Sequence, residues 1–373
     1  MGDKEVRESN FELLRIIAMV FIILSHISVH GDWGEDIFLP DGLSLNVMFL
    51  QALLPLGKLG VNLFVLISGY FLVNYTKSTW SKILGLWFEM IFYSLLITAA
   101  FAFSGDWDYS PSALFWTFTP AIHGIWWFAS CYLIMLGLSP FINKMLDRCS
   151  EREHLKLLIG LFALWAVLPT ITGVHMMFNE TIWFLVMYVT GAYIAKYPGH
   201  FNSPSSRYCI YAMCFYAANL VFIYTVDITG FSSDFLWIHD YVDRATGMTW
   251  MPMVASALFI FLAFRNLDIG RRRLINTVAS TIFGIYLIHD HPLVRDYIYD
   301  NFFDCAAWID SELLIPYVIL ICLVIFTVCL VEELLRSETI GKYLFNPISS
   351  RSSILQNRFD EFIDDHIKSP EDV

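Results

Sequence analysis

Three ionisable side chains share one face of the first apolar segment of this chain. Glu12 and Arg15 stand three residues apart, and His26 follows the arginine by eleven, beyond an unbroken apolar run from Ile16 to Leu24. At 100° per residue the three fall within an arc of about 60°, and His30 joins that face if the helix continues. The helical rise separates Arg15 from His26 by about 16 Å. Ionisable groups inside a span are costly to desolvate, so they point first to function. A guanidinium offers a planar fork to phosphate or carboxylate. An imidazole is suited to take a proton from a hydroxyl, or to act as a nucleophile itself. Plainer roles exist beside these: Arg15 can snorkel as an inner anchor, with Glu12 as its i,i+3 partner.

Other chemistry-bearing positions lie further along. The segment Gly60-Val-Asn62-Leu-Phe-Val-Leu-Ile-Ser68-Gly69-Tyr70-Phe71 carries Asn62 and Ser68, which can hydrogen-bond across helices, and Gly69, which permits close approach. Trp127 sits in a Trp-Trp-Phe run of the kind that forms aromatic belts. Tyr286-Leu-Ile-His289-Asp290-His291-Pro292 is followed by Arg295, a site or a polar rim at a helix end. Its linear spacing is not a metal pattern. The seven cysteines are scattered, without C-x-x-C pairs, so neither a metal site nor a disulfide framework is expected.

The elements that position these residues are membrane helices. The 373 residues are 57% hydrophobic and 16% charged, against about 25% charged in a soluble domain, so lipid must cover the surplus apolar surface. Apolar runs predict spans near 11–29, 58–74, 80–103, 126–147, 153–172, 180–196, 207–226, 247–265, 274–291 and 313–336. The run 43–55 is separated from the second span by Pro55 and Gly57 and reads as an interfacial or re-entrant piece, and 109–122 as another. With ten spans, every Lys and Arg except Lys58, Arg244 and Arg295 falls on the side that holds both termini. The positive-inside rule makes that side cytoplasmic. The expectation is an all-α polytopic integral membrane bundle of about ten transmembrane helices, both termini cytoplasmic, over 1–336, with a polar cytoplasmic tail at 337–373. The first segment carries Glu12, Arg15 and His26 and no cleavage site, and reads as a retained helix. The tail contains a short amphipathic stretch, Ile354 to Ile367.

Glu12-Leu-Leu-Arg15 with His26, Asn62-Leu-Phe-Val-Leu-Ile-Ser-Gly-Tyr-Phe71, and Phe283-Gly-Ile-Tyr-Leu-Ile-His289 together resemble the membrane acyltransferase family known as acyltransferase type 3. Trp127-Phe128, Tyr132-Leu133 and Pro140 form a weaker fourth block. The resemblance implies transfer of an acyl group, commonly acetyl, from cytoplasmic acyl-CoA to a hydroxyl of a cell-surface or lipid-linked sugar. It implies His26 as the catalytic group, general base or nucleophile, with Glu12 holding Arg15. Arg15 and Lys82 would bind the acyl donor. Asn62, Ser68, Tyr70, Trp127, His289 and Arg295 would serve the acceptor or the structure. Where the family often has Asp, this chain has Glu12, and only Lys77 and Lys82 occupy a loop that is often Arg-rich. No permanent cofactor and no metal is expected. Acyl-CoA enters as co-substrate, the glycan acceptor and membrane lipids are the partners, nucleic acid is not, and a homodimer is left open. The expected location is the plasma membrane of a bacterium, multi-pass.

Two other classes compete. An exporter of polysaccharide or a small molecule would use the same polar seam as its path, although the chain has neither an internal repeat nor matching Gly/Pro-broken helices. A sensing module ranks third.

Overall fold

The computed structural model describes residues 8–33, 37–38, 42–75, 79–105, 110–173, 179–232 and 240–345, with 354, 356 and 358. Every regular element among them is helical: Ser9–His30 (α1), Leu45–Leu72 (α2), Trp80–Ser104 (α3), Pro111–Phe118 (α4), Pro120–His123 (α5), Trp127–Arg148 (α6), Glu151–Phe162 (α7), Leu168–Thr172 (α8), Glu180–Lys196 (α9), Ser205–Ser232 (α10), Asp240–Thr246 (α11), Met251–Arg265 (α12), Arg273–Ala279 (α13), Ile282–His289 (α14), Pro292–Asp296 (α15) and Leu314–Arg336 (α16). Among the described residues, eight helical stretches are long and apolar enough to cross a membrane. Large apolar side chains on them stay exposed, such as Met213 and Val221 on α10 and Leu320 and Leu323 on α16. Lipid is the medium that suits such surfaces. The chain is a polytopic helical membrane protein.

The eight correspond to eight of the ten expected spans; of the other two, one is a helix with the expected bounds and the other is interrupted. Glu180–Lys196 forms a regular helix of 17 residues. The segment 274–291 is broken at Ser280 and Thr281. The Ser280 hydroxyl donates to Thr277 O and the Thr281 hydroxyl to Val278 O, both at 2.7 Å, and α13 gives way to α14. Short hydroxyl side chains compete in this way with the helical ladder.

The separate interfacial piece expected at 43–55 is corrected by the structure. Residues 45–72 form one continuous helix of 28 residues with Pro55 inside it. Proline withholds one N–H from the ladder, but hydroxyls on neighbouring helices serve the carbonyls of the preceding turns. Ser28 donates to Leu50 O and Ser25 to Leu54 O, each at 2.8 Å, while Tyr224 reaches Met48 O and Tyr216 reaches Ala52 O. These bonds tie the stretch of α2 around Pro55 to its neighbours and hold it in line. The 109–122 region forms two short helices, α4 and α5, each begun by a proline at a first helical position. Ile354 to Ile367 lies almost wholly outside the described residues.

The chain divides into two compact units. One comprises Met1–Leu72 and Ser150–Leu330, the other Val73–Cys149 and Val331–Val373. In the first, α1 runs antiparallel to α2, as the Ser25–Leu54 and Ser28–Leu50 bonds require. The α13–α14 pair runs parallel to α1: Ser9 donates to Asn276 Oδ1 at 2.8 Å at one end, and His26 meets His289 at the other. Helix α9 crosses α2 so closely that a Cβ on Gly69 would lie 2.1 Å from Tyr188 O, and one on Gly191 2.3 Å from Leu66 O. Small residues at both crossing points let the backbones touch. In the second unit, α3 and the end of α16 meet through a buried cluster. Tyr93 donates to Glu333, and Arg336 bridges Glu333 at 2.5 Å and Glu89 at 2.7 Å.

The crossing supplies a test. Gly69→Leu or Gly191→Leu forces backbone apart from backbone and should destabilise by about 1–3 kcal/mol or more. Gly85→Leu, where a Cβ meets nothing within 4 Å, should be tolerated. Melting temperatures in detergent decide; equal values for all three variants would contradict the contact.

Candidate functional site

Two polar clusters stand on α1, at opposite ends of its apolar middle. The first is the pair expected from the sequence. Glu12 Oε1 and Arg15 Nη1 are 2.5 Å apart, one turn apart on the helix, with Glu12 buried and Arg15 about one-third exposed. The carboxylate therefore fixes the guanidinium from beneath and leaves part of it open. The start of α1 is bound to the end of α12 and to the residue that precedes α13. Asn10 donates to Phe264 O at 2.9 Å, and the Arg272 backbone N–H donates to the Ser9 hydroxyl at 2.8 Å. Arg271, Arg272 and Arg273 are exposed there. The same end of this unit thus gathers Arg15 and three further cations, a field that attracts polyanions.

The second cluster lies at the other end. His26 Nδ1 is 3.2 Å from His289 Nε2 and 3.5 Å from Asp290 Oδ1. His289 Nδ1 is 2.7 Å from Ile285 O. A carbonyl oxygen can only accept, so His289 Nδ1 carries the proton. In neutral His289 the facing Nε2 is then an acceptor, so His26 Nδ1 must be the donor. His26 is thereby held as its Nδ1–H tautomer, with the lone pair on Nε2. His289 and Asp290 are buried, and His26 keeps 17% of its side-chain surface exposed. Arg295 Nη1 lies 3.8 Å from Asp290 Oδ1, with Nε 3.4 Å from Asp296 Oδ1. Arg295 and Lys58 are near enough for their charge to act on His26.

Short segments place these groups. His289 is the last residue of α14, and Asp290 caps it with its N–H bonded to Tyr286 O. A turn later α15 begins at Pro292, with the His291 side chain accepting from Leu293 N–H. The chain therefore turns sharply just where His289 and Asp290 reach α1, and Arg295 is carried back over Asp290.

The structure brings His26, His289 and Arg295 together as one group, with Glu12 and Arg15 as another on the same helix. Asn62 is a bridge: its Nδ2 donates to Met248 O, and its Oδ1 accepts from Trp183 Nε1, both at 2.9 Å. Ser68 donates to Phe64 O on its own helix at 2.9 Å. The Tyr70 ring packs on Phe11, Phe71 and Phe261. Lys82 and Trp127 belong to the second unit, Lys82 lying over the Tyr75 ring at 4.7 Å and Trp127 against Phe128. Lys77 lies outside the described residues. Asp290, in the sequence one member of a polar helix end, gains its importance from neighbours in space that come from α1. Lys58 did carry a signal, being one of only three cations on the acidic side of the charge alternation.

A family model described as an acyltransferase domain, acyltransferase type 3, matches residues 8–331. No curated protein and no solved structure shows a significant match.

Asn62 provides the test that separates bridge from site. Asn62→Leu strands a buried indole N–H and a buried carbonyl and should cost about 1–2 kcal/mol. The variant should melt earlier yet keep its substrate KM values at a permissive temperature. A raised acceptor KM with unchanged melting would make Asn62 a binding residue instead.

Proposed function

The chain belongs to the acyltransferase type 3 family and is a membrane acyltransferase; on that premise we propose that it moves an acyl group, commonly acetyl, from cytoplasmic acyl-CoA to a hydroxyl of a surface or lipid-linked sugar. The observation that carries this reading is the tautomer of His26, fixed by His289 and Ile285 O, which leaves Nε2 able to accept a proton.

In the proposed step Nε2 removes the proton from the acceptor hydroxyl as the oxygen attacks the thioester carbonyl. The tetrahedral intermediate collapses with loss of the coenzyme A thiolate, which recovers the proton from His26. While His26 is an imidazolium, Nδ1–H donates to His289 and faces the Asp290 carboxylate at 3.5 Å, so the positive charge is met on its buried side. Arg15 receives the polyanionic coenzyme at the basic end, assisted by Arg271 and Arg273, and Glu12 keeps the guanidinium in place. About 16 Å of helix separates this mouth from His26, a distance the extended pantetheine arm is suited to span. Bacterial plasma-membrane location, with the basic end cytoplasmic, belongs to the same reading and rests on the positive-inside rule.

Two substitutions test the catalytic end. His26→Ala should lower kcat by about 100-fold or more with normal membrane insertion. His289→Ala should lower kcat by about tenfold or more and leave the donor KM unchanged, because it releases the tautomer without touching the coenzyme. Near wild-type turnover in His26→Ala removes His26 from the chemistry. At the donor end, Arg15→Lys exchanges a planar fork for a point charge and should raise the acyl-CoA KM by about tenfold. An unchanged donor KM would remove Arg15 from the donor site. Detection of an acyl group on His26 in a quenched reaction would replace direct transfer with an acyl-enzyme route.

A further inference from the structure

The outer cluster holds a third imidazole that acyl transfer does not use. His30 stands one turn beyond His26 on α1, their ring centroids 5.3 Å apart. One donor atom from each of His26, His30 and Asp290 lies within 4.8 Å of the other two. We infer that this triad binds a divalent transition-metal ion, best fitted by Zn2+, and that the ion inhibits the enzyme by occupying its base.

The donor set carries the choice of metal. Two imidazoles and one carboxylate form a mixed nitrogen and oxygen set that suits zinc and its neighbours better than calcium or magnesium, which prefer all-oxygen shells. Donor atoms of a tetrahedral zinc shell stand about 3.3 Å apart, so the three side chains must close by rotation alone. Two of the donors sit at i and i+4 on one rigid helix face, and the third is the capping residue of α14. Three protein donors leave a fourth position for water. For an ion on His26 Nε2, His289 holds the ring by its other nitrogen, Nδ1, and is itself held by Ile285 O, the supporting pattern that orients metal-binding histidines. His26 and His30 both keep partial exposure, which gives an ion its way in. Arg295 opposes the ion at 3.8 Å from Asp290, but its Nε is already 3.4 Å from Asp296, to which it can turn. Linear spacing offers only the His26 and His30 pair at i and i+4; the third donor comes from a segment more than 250 residues away.

The inhibitory consequence rests on the proposed role of His26, whereas metal binding does not. An ion on Nε2 takes the lone pair that would accept the proton. An ion on Nδ1 breaks the bond to His289 and leaves the proton on Nε2. Either way His26 ceases to be a base.

The test uses the full chain, purified in detergent without a metal-affinity tag, with ZnCl2 alone as the probe. Calorimetry should show one site, and His30→Ala should weaken it by more than about tenfold, since even supporting residues cost that much. Co2+ added to the wild type should give the visible bands of tetrahedral coordination, a readout that needs no variant. In acyl-transfer assays His30→Ala should keep its metal-free turnover while the Zn2+ concentration for half inhibition rises by the same factor as the affinity falls. Absence of wild-type zinc binding, or equal affinity in His30→Ala, overturns the inference. Zinc bound through His30 by a protein that transfers no acyl group upholds the metal site and defeats the proposed function.

Discussion

The bond between the His289 ring and the carbonyl of Ile285 governs everything at the outer end of α1. It is an interaction within one helix, formed between residues four apart, and it would be unremarked if His289 faced lipid. Because α14 packs parallel to α1, the other nitrogen of that ring meets His26. A backbone oxygen that can only accept therefore dictates, two hydrogen bonds away, which nitrogen of His26 keeps its lone pair. Asp290 follows from the same geometry, since α14 ends at His289 and the next residue turns back beside the pair.

That relay needs α1 and α14 to be held in register, and the packing of the first unit does this at several levels. Ser9, Asn10 and Arg272 fasten one end of α1 to the chain around α13. Ser25 and Ser28 fasten its far half to α2. Helix α2 is itself immobilised by the Asn62 bridge to Trp183 and Met248 and by its glycine contacts with α9. Polar side chains here act between helices where apolar contact distinguishes little from lipid. A single rigid helix then presents a guanidinium at one end and an imidazole at the other, and in the proposed reaction it connects a coenzyme at the basic end with an alcohol at the acidic end.

Much of this was legible in the residues themselves. The angular coincidence of Glu12, Arg15 and His26 depends only on helical periodicity, and α1 is a continuous helix from Ser9 to His30, so the arc holds. The Glu12–Arg15 pair followed from i,i+3 spacing, and Gly69 makes the close approach its size allows. Other features depend on partners that a linear reading does not contain. Pro55 looks like a breaker, yet four hydroxyls from α1 and α10 tie the helix around it to its neighbours. The ninth expected span looks continuous because its apolar residues resume past Ser280 and Thr281, while the hydroxyls of those two residues interrupt its ladder. His289 was visible as a polar residue at a helix end, but its place beside His26 is a fact of packing. Tyr70 and Ser68 lie in one of the segments that carry the resemblance to the family, and the structure engages them in ring packing and an intrahelical bond.

The most direct measurement of the central claim is a structure of the full chain in lipid nanodiscs with a non-hydrolysable acetyl-CoA thioether. The account predicts coenzyme phosphates at Arg15 and the reactive carbon about 4–5 Å from His26 Nε2, with room for one hydroxyl oxygen between them and His26 Nδ1 still bonded to His289. A coenzyme seated elsewhere, or an acyl end that never reaches the imidazole pair, would contradict it.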